Sequence, residues 1–165
     1  MSRLRRIIQI GALLLLSALP AMGAPQKGQP APAIKVMTTS GQQVTLANYK
    51  GYVLIMDFFA TWCPPCREAV PHLQGLNRKY GKQGLQILGL SLDDDSKTLK
   101  EFAEDKKLSY PVALASEELK ADYGLRSLPT IYIVSKKGLV ADKFLGYNDD
   151  SKMKMEALIK KLLAE

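Results

Sequence analysis

One histidine, His72, and two cysteines, Cys63 and Cys66, are all that 165 residues offer in soft metal ligands. A tetrahedral zinc site needs four, so a zinc site built on them stays incomplete. The same scarcity excludes a small fold stapled by several disulfides. No GxxxxGK[ST] or GxGxxG run occurs, which removes P-loop NTPases, glycine-loop kinases and Rossmann dehydrogenases together. Long blocks of like charge are missing too. Of the net charge of +7, three units belong to Arg3, Arg5 and Arg6, leaving +4 for the rest. There the bases alternate with acids, as in Lys97, Lys100, Glu101, Glu104 and Lys107. That is the pattern of a solvated helix face, and no nucleic-acid partner is expected. What is present is 47% hydrophobic and 24% charged, the composition of one packed globular domain rather than a disordered chain.

The first 23 residues read as an export leader. A basic start precedes an apolar stretch at 7–19, interrupted only by Gln9, Gly11 and Ser17; Pro20 follows, then Ala21 and Gly23 in a small-x-small cleavage pattern. A cleaved signal peptide and an uncleaved anchor both fit, because 7–24 is near the lower limit of the roughly 17–25 residues that span a bilayer. Either way the remainder is expected outside the cytoplasm, periplasmic in a two-membrane cell, with membrane contact only through the leader. Residues 24–32 (APQKGQPAP) are rich in proline and polar groups and read as a flexible linker. The folded domain is then 33–165.

Within it, 34–37 and 43–46 are short strand-like runs flanking Ser40-Gly41, a hairpin pattern. Residues 53–59 (VLIMDFF) are almost uniformly apolar, as befits a central strand covered on both sides. A helix is predicted over 64–80, closed by Gly81, and a second buried strand over 85–92. Helices follow at 96–107, with Ser96 as N-cap, and at 117–123, stopped by Gly124. Strands at 130–134 and 139–144 precede a last helix at 151–163, capped by Asp150 or Ser151. Alternating strands and helices ending in a hairpin and helix predict a three-layer α/β/α sandwich with a mixed sheet and an N-terminal hairpin extension.

The chemistry concentrates in Trp62-Cys63-Pro64-Pro65-Cys66, at the junction of the central strand and its helix. Three-residue spacing on a first helical turn brings the two Cα atoms to about 5–6 Å, within disulfide range. Pro64 pushes Cys63 out of helical backbone angles, to the N-cap. There the sulfur meets unpaired N–H groups and the positive end of the helix dipole, which favour thiolate over thiol. Cys66, one turn in, is expected to be more buried. One sulfur attacks and the other resolves the mixed disulfide. A purely structural disulfide gains little by closing so short a loop. Asp57, alone in an apolar strand, is expected to have a raised pKa.

The chain resembles the thioredoxin superfamily and, within it, the exported TlpA/ResA-like thiol–disulfide oxidoreductases. The resemblance rests on GQPAPAI, MDFFATWCPPC, GLSLDDD and YGLRSLPTIYIV. It implies a thioredoxin-like fold, catalytic roles for Cys63, Cys66, Asp57 and Pro129, and a cis peptide at Leu128-Pro129 beside which an extended substrate docks. Asp57 takes the role of proton acceptor toward Cys66. Trp62, Pro64, Pro65 and Leu128 are expected to meet the substrate, with Trp62 covering the disulfide. The family glutamate three residues after the second cysteine is absent: Ala69 stands there and Glu68 precedes it, so Glu68 reads as surface charge and His72 as a surface or packing residue.

Pro64 and Pro65 remove two N–H donors from the attacking sulfur, which makes the couple more reducing. The expected activity is thus reduction of client protein disulfides, with no cofactor beyond the Cys63–Cys66 couple and no metal. Apocytochrome c is the client the resemblance implies, and a membrane thiol-reductase is the electron donor. A general disulfide oxidase or isomerase and a peroxidase on the same fold are the alternatives. The peroxidase would want a PxxxTxxC setting at this junction instead of WCPPC.

Overall fold

The computed structural model describes residues 23–165; all of the expected leader but Gly23 lies outside them. The element order is β1 (Lys35–Met37), β2 (Gln43–Thr45), β3 (Val53–Phe59), α1 (Pro64–Tyr80), β4 (Leu85–Ser91), α2 (Ser96–Asp105), β5 (Val112–Leu114), α3 (Glu117–Asp122), β6 (Thr130–Val134), β7 (Val140–Leu145) and α4 (Asp149–Ala164). β1 and β2 form an antiparallel hairpin, and the other five strands form one mixed sheet ordered β5-β4-β3-β6-β7. β3 runs parallel to β4 and antiparallel to β6. This is the expected thioredoxin-like α/β/α architecture with its N-terminal hairpin.

All seven residues of β3 are buried, and the period-two pleat divides them between two cores. Val53, Ile55 and Phe59 join the core under α1, α2 and α4. Leu54, Met56 and Phe58 join the opposite core, with Tyr123, Tyr132 and the hairpin residues Val36 and Val44. A large apolar side chain so buried contributes roughly 1.5–3 kcal/mol, so this strand anchors both layers. Alternation then places Asp57 on the α1 face, between Gly89 of β4 and Ile131 of β6 in register.

Several local expectations shift. β5 has only three residues, too few to show a period, and its place comes from pairing with the end of β4. α2 is capped by Asp95, whose carboxylate accepts the Thr98 N–H at 2.8 Å, rather than by Ser96. α4 is capped by Asn148, not Asp150 or Ser151: Asn148 Oδ1 accepts the Ser151 N–H at 2.8 Å while Ser151 Oγ accepts the Asn148 N–H at 2.9 Å. That reciprocal pair satisfies two groups at once, and it leaves Asp149 and Asp150 in the first turn, where the helix dipole favours them. Gly81 stays right-handed and starts a short 3-10 turn; the left-handed residue that ends the segment is Gly84, at φ 104°.

The stretch 24–32 differs most from its reading as a loose tether. The Gly28 N–H donates to the Val140 carbonyl, the Val140 N–H to the Gln29 carbonyl and the Ala31 N–H to the Gly138 carbonyl, at 2.8–2.9 Å. Ala24 lies against Gly124, where a Cβ would come within 2.6 Å of the alanine methyl. On the far side of the sheet, the Thr39 N–H donates to the Val112 carbonyl of β5 at 2.9 Å. Composition alone suggested flexibility; the hydrogen bonds fix this segment to the domain.

Candidate active site

Cys63 ends the turn that leaves β3 and has extended backbone angles (φ −86°, ψ 112°), so it is the N-cap of α1. Its Sγ accepts the Cys66 N–H at 3.4 Å. Pro64 and Pro65 occupy the first helical positions, where the missing amide hydrogens break no helical bond. Cys63 and Cys66 form a disulfide, with Cα atoms 5.3 Å apart. Cys66 is 1% exposed and Cys63 4%; the expected order of burial is there, although both sulfurs are largely covered. Trp62 does little of that covering, since it is 68% exposed and most of its ring is open to solvent. Pro64 is exposed and Pro65 half-buried.

Leu128-Pro129 is a cis peptide. The Pro129 carbonyl accepts the Gly146 N–H at 2.8 Å, which ties the entrance of β6 to the end of β7. Leu128 is half-buried and packs against both cores.

Asp57 is 1% exposed on the face of β3 that α1 covers, and its Oδ1 has no hydrogen-bond partner among the described residues. Removal from water disfavours its charge and pushes its pKa up to about 7. Beside it on β4, Gly89 contributes no side chain; a Cβ there would meet Val112 at 2.8 Å and Phe59 at 3.1 Å. Tyr110 also packs at this spot, and its hydroxyl is pushed far up, first by burial and then by the Asp57 charge.

A second buried acid has the opposite surroundings. Asp93, 8% exposed, accepts the Thr61 N–H at 3.1 Å through Oδ2 and the Thr61 hydroxyl at 2.7 Å through Oδ1. The Ser91 hydroxyl donates to it as well. Thr61 lies two residues before Cys63, so Asp93 pins the turn that presents the cysteines. In the sequence GLSLDDD is a mark of the resemblance, and its three successive aspartates give no hint which one faces inward.

His72 of α1 and Tyr147 of the β7–α4 connection meet with ring centroids 6.0 Å apart. Tyr147 packs against the core that contains both cysteines. Burial raises its hydroxyl to about 12, helped by the charges of Asp149, Asp57 and Glu68. His72 is held below its ordinary value by burial, against the pull of Glu156. Glu68 is exposed, as expected of surface charge, yet its charge reaches Tyr147. Nothing in the spacing pointed to Tyr147, which stands in a loop and belongs to no motif.

The arrangement can carry thiol–disulfide exchange: an attacking sulfur at a helix N-terminus, a resolving sulfur one turn in, and a carboxyl group on the adjoining strand face that titrates near neutrality. The AhpC/TSA family profile matches residues 27–143. The chain is 33% identical to the thioredoxin-like protein YneN of Bacillus subtilis over 124 residues, 73% of this chain and 72% of that protein. It is 30% identical to the thiol-disulfide oxidoreductase ResA of Bacillus thuringiensis over 138 residues, 83% of this chain and 79% of the other. A crystal structure from Chlorobium tepidum, assigned as a thiol:disulfide interchange protein DsbE, superposes with TM-score 0.80 at 27% identity. It covers 85% of this chain and 99% of its own.

Proposed function

The chain belongs to the AhpC/TSA family and is a TlpA/ResA-like thiol–disulfide oxidoreductase of thioredoxin fold, and from that premise we propose that it works as an exported reductant of client protein disulfides. One observation carries the direction. In the first turn of α1 the Cys63 sulfur accepts a single backbone N–H, that of Cys66 at 3.4 Å, because Pro64 and Pro65 have none to give. A thiolate with fewer donors is less stabilised, the dithiol form is correspondingly less stable, and the couple gives its electrons away more readily.

In this reading the Cys63 thiolate attacks a client disulfide and Cys66 resolves the mixed disulfide after Asp57 takes its proton. Trp62, Pro64, Pro65 and Leu128 form the surface that meets the client, beside Pro129. The Cys63–Cys66 couple is the only electron carrier required, so each turnover ends with a disulfide that an external donor must reduce. For an exported protein that donor is a membrane thiol-reductase. Apocytochrome c fits as client, since its haem-binding cysteines must be reduced before haem attaches. The leader at 1–23 supports export, either as a cleaved signal or as an anchor. The CxxC pair at the helix N-cap favours exchange over peroxidase chemistry.

The test is the reduction potential of the Cys63–Cys66 couple, followed by Trp62 fluorescence in glutathione or dithiothreitol buffers. A value near or below about −270 mV, that of thioredoxin, is expected. A value near about −120 mV, that of a strong oxidant, would reverse the direction.

A further inference from the structure

At the pole of the sheet away from the cysteines, a cavity of about 230 Å³ opens between the 3-10 turn Leu46–Tyr49 and the turn that joins β6 to β7. β3 starts beside it, and the seven residues of that strand deliver Cys63 at the other end, about 20 Å away. The cavity also lies on the opposite face. Its floor is the cross-strand pair Leu54 and Val134, which belongs to the core under the hairpin and α3, whereas both cysteines belong to the other core. The Gly51 N–H donates to the Lys136 carbonyl at 3.1 Å, so the two turns that wall the cavity are tied to each other. Nothing in thiol–disulfide exchange uses this place.

Two independent features of the lining point to a ligand. First, every charge on it is positive. Lys50 and Lys137 stand exposed at the rim, with no acidic residue on the lining and no salt-bridge partner among the described residues. Lys136 turns instead to the Leu163 carbonyl, at 2.8 Å. Second, Tyr49 is 9% exposed, and its hydroxyl takes no hydrogen-bond partner among the described residues; burial alone pushes it up to about 12. Unlike the Tyr147 hydroxyl it is not sealed from solvent, so what opening it has is into the cavity that Tyr49 lines. A donor nearly stripped of water and given no acceptor by the protein is costly, and a bound acceptor relieves that cost.

We infer that this cavity is a binding site for a small apolar carboxylic acid. The hydrocarbon body lies on Leu46, Leu54 and Val134, and the carboxylate accepts from the Tyr49 hydroxyl and is attracted by Lys50 and Lys137 at the rim. The chemistry narrows the class in three ways. Two lysines without acidic partners exclude a cation. An apolar floor with few placed polar groups is the pattern of a site for a largely apolar molecule, which disfavours a polyanion. The volume falls below the roughly 300 Å³ at which ordinary small-molecule sites begin, which leaves no room for a nucleotide. The inference goes beyond the thiol–disulfide reading and does not depend on the direction of electron flow.

The experiment is titration of the full chain with phenylacetate and with octanoate, followed by backbone amide chemical shifts in two-dimensional NMR. The corresponding amides, phenylacetamide and octanamide, are the neutral controls. Saturable shifts confined to 46–54 and 134–138 are expected, with a Kd on the order of 1 mM or tighter for at least one acid and binding weaker by about tenfold or more for its amide. The disulfide and dithiol forms are expected to bind alike. Tyr49→Phe keeps the ring and removes an unpartnered hydroxyl, so the melting temperature is expected to hold while affinity falls about tenfold. Lys50→Gln and Lys137→Gln together are expected to weaken binding about fivefold. Should Tyr49→Phe fold poorly, Ala47→Trp decides: Ala47 is exposed on the turn that walls the cavity, and the larger side chain is expected to block binding. No saturable shift up to about 10 mM of either acid, equal binding of acid and amide, or undiminished binding in Tyr49→Phe or Ala47→Trp overturns the proposal. Binding of an acidic, aromatic-bearing peptide but of neither acid assigns the cavity to a protein partner and overturns it as well.

Discussion

On the face of the sheet covered by α3 and the hairpin, the Tyr123 hydroxyl donates to the Pro32 carbonyl at 2.7 Å and the Tyr132 hydroxyl to the Tyr123 carbonyl at 2.7 Å. On the face covered by α1 and α4, the Asp57 carboxylate, the His72 imidazole and the Tyr147 hydroxyl each leave an atom unpaired. Both faces are apolar and close-packed, so burial alone does not distinguish them. The two buried aspartates repeat the contrast at residue scale. Asp93 is fully engaged by Thr61 and Ser91, whereas Asp57 Oδ1 has no donor among the described residues. Satisfied polar groups hold the chain in place, and the unsatisfied ones lie on the face whose core contains the two cysteines.

The sharpest way to test this difference is to neutralise Asp57. Its native pKa, near 7, lies above the ordinary carboxylate value of 3.8. Between those pH values the native state therefore keeps a proton that the unfolded chain has lost, and stability falls as pH rises through that window. Asp57→Asn removes the penalty. Its gain is expected to be near zero below pH 4 and on the order of 4 kcal/mol above pH 7, read from urea unfolding at several pH values. A gain independent of pH would place Asp57 among the satisfied groups and erase the contrast.

Asp93→Ala tests the other side. It leaves the Thr61 N–H, the Thr61 hydroxyl and the Ser91 hydroxyl without their acceptor, and is expected to cost about 2–3 kcal/mol. Faster amide exchange at Thr61 is expected alongside. A loss below about 0.5 kcal/mol would mean that the turn before Cys63 is held by something else.

The smallest effect is expected from Tyr123→Phe. One hydrogen bond to Pro32 is lost, costing about 1 kcal/mol, and the rate of disulfide exchange stays at the wild-type value. Tyr147→Phe, which removes a hydroxyl with no partner among the described residues, is expected by contrast to hold or raise the melting temperature. Two tyrosine hydroxyls on opposite faces thus give opposite stability signatures, and a stability gain in Tyr123→Phe would break the pattern.

The chain makes much of this legible before any coordinates. VLIMDFF announces a doubly covered strand because no polar face is needed, and WCPPC announces the helix N-cap because Pro64 leaves Cys63 no other backbone. Asp57 stands out as the one acid in that apolar run. Other features depend on tertiary context. Asp95 caps α2 in place of Ser96, although both are good caps, because the chain enters the helix one residue earlier. β5 exists only through its pairing with β4. Asp93 is one of three consecutive aspartates, and only the approach of Thr61 selects it. Tyr147 and His72 are 75 residues apart in the chain, and no local pattern couples them.

The same segment that composition marks as a loose leash has a different consequence at the sheet margins. Residues 28–31 pair with Gly138–Val140, at the entry of β7, and Thr38 and Thr39 pair with Ala113 and Val112 of β5, so each outermost strand of the five-stranded sheet is partnered along part of its length. Pro30, which cannot donate, sits in the outer layer on the β7 side. An open strand edge is a template for strand aggregation. Residues from 28 to 39 thus occupy part of each margin and shorten the edge left open to such pairing.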